Sequence, residues 1–160
     1  MIGLLQRVSN AEVAVSGDVI GRIGRGLMVL VAVHRDDTDR DVVRLAERLL
    51  TYRVFPDDQG RMNRSVRDIG GGLLLVPQFT LTANTRKGTR ASFTGGAAPE
   101  KASAFFDALV AACRRELDTV ETGRFGADMQ VTLTNDGPVT FWLDTGPGGR
   151  DSDVDFAERS

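Results

Sequence analysis

The chain predicts an α+β fold: about eight or nine strands with antiparallel sheet content, packed against two main helices. Three observations carry this. Short apolar or alternating runs, bounded by Gly, Pro, Asn and Asp, recur from the N-terminus to about residue 144. Only two stretches hold apolar residues at helical spacing. A length of 160 residues, 41% hydrophobic and 26% charged, is that of one soluble domain with a sizeable core.

Residues 2–8 and 11–15 run apolar or alternate like strands, and Ser16-Gly17-Asp18 reads as a hairpin turn into a strand over 19–23. Residues 26–33, GLMVLVAV, form a continuous apolar run of strand length, the pattern of a buried central strand. Thr38 is placed to cap a helix, with Asp39 and Asp41 in the first turn, where the helix dipole favours anions. Val42, Leu45, Ala46, Leu49 and Leu50 give that helix its core stripe. A short strand over 53–55 leads into the turn 56–60. Gly70-Gly71-Gly72 reads as a bulge or bend opening a second buried strand over 73–79. Residues 82–98 make a long polar loop of the kind that often carries function. Pro99 suits the first turn of the second helix, with Phe105, Phe106, Leu109, Ala112, Cys113 and Leu117 inward. Two closing strands are expected around 128–133 and 139–143. The domain then spans 1–144, and 145–160, rich in Gly and Asp, is expected to be disordered.

Composition narrows the function. Cys113 is the only cysteine and lies on an apolar helix face, which excludes an internal disulfide and favours a buried structural thiol. His34 is the only histidine, so neither a Ser-His-Asp triad nor a histidine metal cluster can form, and it reads as a surface loop residue. No metal or cofactor is expected. No run reaches the length of a membrane span, and the first residues lack a basic leader, so a cytoplasmic protein is expected. With a net charge of −2, any nucleic-acid contact needs a local patch. Arg86, Lys87 and Arg90 form the best candidate, and Arg61, Arg64 and Arg67 a second; on charge alone a solvated loop is the favoured reading.

Two stretches remain that could do chemistry with backbone and hydroxyl groups. Pro77-Gln78-Phe79-Thr80 ends an apolar strand in polar residues. Pro77 sets its own φ and biases Val76 toward extended geometry, which leaves the Phe79 and Thr80 amides as candidate donors to a developing oxyanion. The plain alternative is the solvated end of a strand. Asn135-Asp136-Gly137-Pro138-Val139-Thr140 places Gly-Pro inside an apolar β stretch, where proline cannot donate to a ladder and glycine weakens it. A rigid Gly-Pro step can aim two carbonyls in one direction and so sort ligands by shape. The plain alternative is a turn before the last strand.

Taken together, these two stretches resemble the D-aminoacyl-tRNA deacylase family, marked by a Ser-Gln-Phe-Thr strand end and an Asn-x-Gly-Pro-x-Thr turn. The resemblance extends to MIGLLQRVSNAEVAV at the start, to Arg53-Val54-Phe55 and Gly60-Arg61-Met62-Asn63, and to Thr122-Gly123-Arg124-Phe125 and Asp128-Met129-Gln130-Val131. It implies a barrel-like fold and a homodimer that hydrolyses D-aminoacyl-tRNA and glycyl-tRNA, including glycine mischarged on tRNA-Ala. It implies that Gly137-Pro138 is cis and reaches into the partner's active site, where its carbonyls engage the substrate amino group and exclude an L side chain. Arg7 would orient that turn, and Gln78, Phe79 and Thr80 would surround the scissile carbonyl. The substrate's ribose hydroxyl is implied to assist, so no protein base is required. Two positions depart from the pattern: Pro77 replaces the family's serine and Ala91 a common proline. The first departure keeps a second reading open, a nucleic-acid-binding dimer without deacylase activity. A hydrolase using Thr80 as nucleophile on small D-amino acid esters is a third.

Overall fold

Residues 1–146 are described by the computed structural model. The chain opens on a 14-residue strand, β1 (Ile2–Val15), followed by β2 (Asp18–Ile23) and β3 (Gly26–Ala32). The runs 2–8 and 11–15, expected as separate strands, are one: polar Ser9 and Asn10 lie exposed while the ladder continues past them. Helix α1 (Asp39–Thr51) comes next, then the hairpin β4 (Phe55–Pro56) and β5 (Met62–Arg64), then β6 (Gly72–Pro77). A 3-10 turn (Phe79–Thr82), α2 (Pro99–Arg114), β7 (Val120–Thr122) and β8 (Gln130–Asp144) complete the order. The two closing strands are therefore also one, the 15-residue β8.

Local chemistry accounts for the helix starts. The Thr38 backbone N–H donates to Asp41 Oδ2 at 2.9 Å, and the Asp41 N–H to Thr38 O at 2.9 Å, so orphan groups of the first turn are used. Pro99 occupies the first turn of α2, where its missing N–H is no loss.

The main sheet runs β2-β1-β3-β6-β7, with β8 on the other side of β1. The expected antiparallel content holds for β1 with β2, β3 and β8. The pairs β3–β6 and β6–β7 are parallel, so the sheet is mixed. Parallel neighbours need a crossover, supplied by the segment containing α1 and by that containing α2. Gly72–Val76 is buried throughout, the burial that strands in a parallel sheet reach between two covered faces. The sheet curls until β2 meets β7: a Cβ on Gly21 would lie 3.0 Å from Thr122 O.

Each face of the sheet has its own core. Leu5, Leu27, Leu73 and Leu75 pack with α1 and α2 through Leu45, Leu49, Phe106 and Leu109. Inside the curl, Val8, Val13, Met28, Leu74 and Val76 form a second cluster. Cys113 is buried as expected, and burial pushes its thiol up to about 12, which suppresses the thiolate. Of the expected α2 stripe, Phe106, Leu109, Cys113 and Leu117 are buried, and Phe105 and Ala112 pack partly buried against the same core. Thr145, placed with the tail in the sequence reading, is buried and its N–H donates to Met1 O at 2.9 Å. The rest of that tail, from residue 147, lies outside the described residues. Among the described residues no helix is long and apolar enough to cross a membrane.

Candidate active site

The end of β6 creates the first half of the site. Strand geometry stops at Pro77, and Gln78 (φ −143°, ψ 78°) leads into the 3-10 turn, so residues 78–80 do not alternate as a strand would. The Gln78 N–H donates to Val31 O on β3 at 2.7 Å. By alternation, position 77 faces the β7 side, where pairing has already ended at Leu75–Thr122. Proline thus removes a donor that has no ladder to join. Inside the turn, Leu81 N–H bonds Gln78 O and Ala83 N–H bonds Thr80 O. The Phe79 and Thr80 amides have no acceptor among the described residues. The Gln78 side-chain amide donates to Thr80 Oγ1, and Thr82 Oγ1 donates to Phe79 O at 2.8 Å, which stiffens the turn.

Around this turn lies a cavity of about 140 Å³, walled by Val31, Gln78, Phe79, Gly96, Phe106 and Phe125. It adjoins an open groove of about 550 Å³ floored by Val76, Pro77, Met129 and Val131. The loop after the turn is tied back over the cavity by Ala97 N–H to Val33 O at 3.0 Å and Arg35 N–H to Gly95 O at 3.0 Å. An apolar cavity with two spare amide donors at its edge can hold an acyl group and stabilise an oxyanion.

The second half arises where β1 and β8 lose register. Gln6 pairs with Thr140 and Val8 with Asn135, so residues 136–139 bulge out opposite Arg7. Gly-Pro is therefore a bulge inside one long strand, not a turn before it. The Gly137–Pro138 peptide is cis, and both residues are exposed. Arg7 clamps the base of the bulge: Nε donates to Asp136 O at 3.0 Å, and Nη1 to Val54 O at 2.7 Å. The Asn135 side chain completes it, accepting from Val139 N–H at 3.1 Å and donating to Thr140 Oγ1 at 2.9 Å. The fork of a guanidinium suits this dual grip on two carbonyls. The structure brings Arg7 to Gly137, and Gln78 to Phe79 and Thr80. It does not join the two groups: neither Gly137 nor Pro138 lines the cavity or the groove at Gln78 and Phe79.

The family model described as D-Tyr-tRNA(Tyr) deacylase matches residues 4–144. The chain belongs to the D-Tyr-tRNA(Tyr) deacylase family. A D-aminoacyl-tRNA deacylase of Alkalilimnicola ehrlichii is 63% identical over 147 residues, covering 92% of this chain and 98% of the relative. One from Cronobacter sakazakii is 57% identical, covering 89% and 99%. Among solved structures, one titled c-Myc DNA Unwinding Element Binding Protein superposes with a TM-score of 0.87 at 36% identity, covering 91% of this chain and 99% of that one. Another, titled as a probable eukaryotic D-amino acid tRNA deacylase, shares the fold with a TM-score of 0.77 at 20% identity, covering 89% of this chain and 97% of that one. The α+β fold and the resemblance to the deacylase family are thereby shown, and the relatives named above are hydrolases by name.

Three features of this family member escape the sequence reading. Phe93, Phe106 and Phe125 wall the cavity from three separate segments, and only the length and polarity of the 82–98 loop hinted at one of them. His34 is not a plain surface residue: its ring pairs with Asp144 at 3.3 Å, and its N–H donates to Asp37 Oδ2 at 2.7 Å. Asp37 in turn accepts from the Met1 ammonium at 2.7 Å, with both side chains fully buried. Three segments distant in sequence thus meet beside the cavity-covering loop, which joins them through the His34–Gly96 bridge.

The hydrogen bond to Asp144 raises the His34 pKa, against the opposing pull of burial. Burial pushes Asp144 up, but its bonds from His34 and the Gly146 N–H leave it below its usual value. The signs give a pH window. His34 contributes stability below about pH 6.5, lost as pH rises through its raised folded value. Asp144 contributes above about pH 4, lost as pH falls through its lowered folded value. Thermal melts across pH are expected to show both limbs in the wild type, and His34→Gln is expected to erase the upper one. An unchanged upper limb in that variant would remove His34 as its source.

Proposed function

We propose that this chain, a D-aminoacyl-tRNA deacylase by family, selects its substrate by handedness at an active site shared between two copies of itself. The observation that carries the reading is the separation of its two halves. The Gly137-Pro138 bulge stands exposed and clamped by Arg7, while the Gln78–Thr80 turn lines a cavity that Gly137 and Pro138 do not enter. A second copy supplies what one lacks. The outer edge of β8 has no strand partner among the described residues, and it carries Trp142, 52% exposed. Such an edge and aromatic suit pairing with a copy of itself.

In this reading the aminoacyl ester enters the cavity with its carbonyl oxygen facing the Phe79 and Thr80 amides. Water adds to the carbonyl carbon, and the oxyanion takes the two N–H bonds. The bond to the ribose oxygen then breaks, and that oxygen takes a proton. The vicinal ribose hydroxyl relays the proton, so the single histidine, engaged with Asp144, is not needed. Thr80 Oγ1 accepts from Gln78 and acts as a support for the turn rather than as a nucleophile. The carbonyls of the partner's Gly137 and Pro138 hold the substrate ammonium. An L side chain would collide with that backbone, whereas a D side chain points outward and glycine has none to collide. Glycyl-tRNA, including glycine mischarged on tRNA-Ala, is therefore a second substrate, and the cytoplasm the place of work.

The test is a paired assay. Purified protein is expected to release D-Tyr and Gly from charged tRNA and to leave L-Tyr-tRNA intact. Equal release of both enantiomers would remove the steric filter.

A further inference from the structure

We propose that Phe79 and Phe93, with the cations of the hairpin between Asn84 and Ser92, form a second nucleotide subsite for the unpaired nucleotide adjoining the esterified one. The proposal rests on the deacylase reading and extends it from the ester to the RNA strand behind it. The aromatic pair is the first observation. Phe79 is 62% exposed and Phe93 is 47% exposed, and their ring centroids lie 5.4 Å apart. Two large apolar rings exposed together at a cavity mouth offer a face on which any base can stack.

The charge beside them is the second observation. Asn84 and Ser92 exchange both backbone bonds, at 2.7 and 3.0 Å, and close a hairpin whose base leads directly to Phe93. Arg86 N–H bonds Asn84 Oδ1 at 3.0 Å, which fixes the first step of the tip. The tip carries Arg86, Lys87 and Arg90, all exposed, with no acidic residue between 85 and 91. Three other surface arginines are paired with carboxylates: Arg22 with Glu12, Arg64 with Asp58 and Arg67 with Glu116, at 2.7–2.9 Å. Arg86, Lys87 and Arg90 form no ion pair among the described residues. On a chain of net charge −2, an unneutralised cluster beside an aromatic pair is complementary to a phosphodiester with its base turned aside. The rings take the base without reading its identity, and the hairpin takes the phosphates.

Two substrates separate this subsite from the reaction itself: a D-aminoacyl-tRNA, and a D-aminoacyl-adenosine ester that has no neighbouring nucleotide. Phe93→Ala is expected to raise KM for the tRNA about ten- to a hundredfold, a larger factor than it causes on the adenosine ester. Because Phe93 also walls the cavity, the control on the adenosine ester uses the hairpin cations: replacing Arg86, Lys87 and Arg90 together by Ala is expected to leave its kcat/KM within about twofold of wild type, and Phe93→Trp is expected to restore the tRNA KM. Replacing Arg86, Lys87 and Arg90 together by Ala is expected to make the log–log salt dependence of tRNA binding shallower by about two, at about 0.7 per phosphate lost. Equal losses on both substrates in the triple variant, or an unchanged tRNA KM in Phe93→Ala, would overturn the subsite, as would an unchanged salt slope in the triple variant. Wild-type protein that cleaves neither substrate would instead remove the deacylase reading beneath it.

Discussion

Phe79→Pro is expected to lose about 10²–10³ in kcat relative to Phe79→Leu. Both variants lack the ring, so any effect of stacking cancels between them. Of the differences that remain between proline and leucine, the one at the edge of the cavity is the lost N–H. Phe79 is the first residue of the 3-10 turn, a position that suits proline, and Gln78 before it is already outside the helical region. No bond among the described residues uses the Phe79 amide, so its removal leaves the turn's internal bonds from Leu81 and Ala83 in place. What disappears is one of the two donors proposed for the oxyanion. Circular dichroism and Tm close to those of Phe79→Leu would confirm that the loss is chemical. Equal kcat in the two variants would show that the turn does not stabilise the oxyanion through this amide.

Gly137→Ala is expected to lower kcat/KM for the D-substrate by about 10², the scale set by a misplacement on the order of 1 Å. Gly137 has φ +136°, which an alanine adopts only under strain of about 1–3 kcal/mol. The added Cβ would also stand 2.7 Å from Val139 Cγ2 and 3.1 Å from Arg7 Nη2. Both neighbours belong to the bulge or its clamp, so the carbonyls must swing. Discrimination is expected to fall with rate, because in the proposed site the same carbonyls would both hold the ammonium and block the L side chain. A variant that loses rate but keeps full rejection of L-substrate would assign the filter to another group.

Much of this was legible in residue patterns, and the rest had physical reasons to be hidden. The Thr38 cap, the α1 stripe, Pro99 at the start of α2 and the buried Cys113 are local features, set by neighbours within a turn or two. Strand direction is not local. The run of buried residues in β6 marked a central strand, but that it lies parallel to β3 depends on a long crossover, residues 33–71, between Ala32 and Gly72. The bulge at 136–139 was hidden for a similar reason. Its cause is the register between β1 and β8, more than 120 residues apart, with Arg7 reaching across to hold it. His34 misled because its partners, Asp37 and Asp144, come from a following turn and from the last strand. Pro77, the one departure from the family pattern at the site itself, is explained only by where β7 stops.

Subunit mixing tests the shared site most directly. In the proposed dimer, Phe79→Pro and Gly137→Ala strike different halves of the site, and each variant alone is expected to be nearly inactive on D-aminoacyl-tRNA. Random re-pairing of an equal mixture gives half heterodimers, each with one intact site, so about a quarter of wild-type activity is expected to return. Activity no higher than that of the two parents, with heterodimers shown to have formed, would mean that each copy acts alone and that the Gly-Pro bulge does not cross to its neighbour.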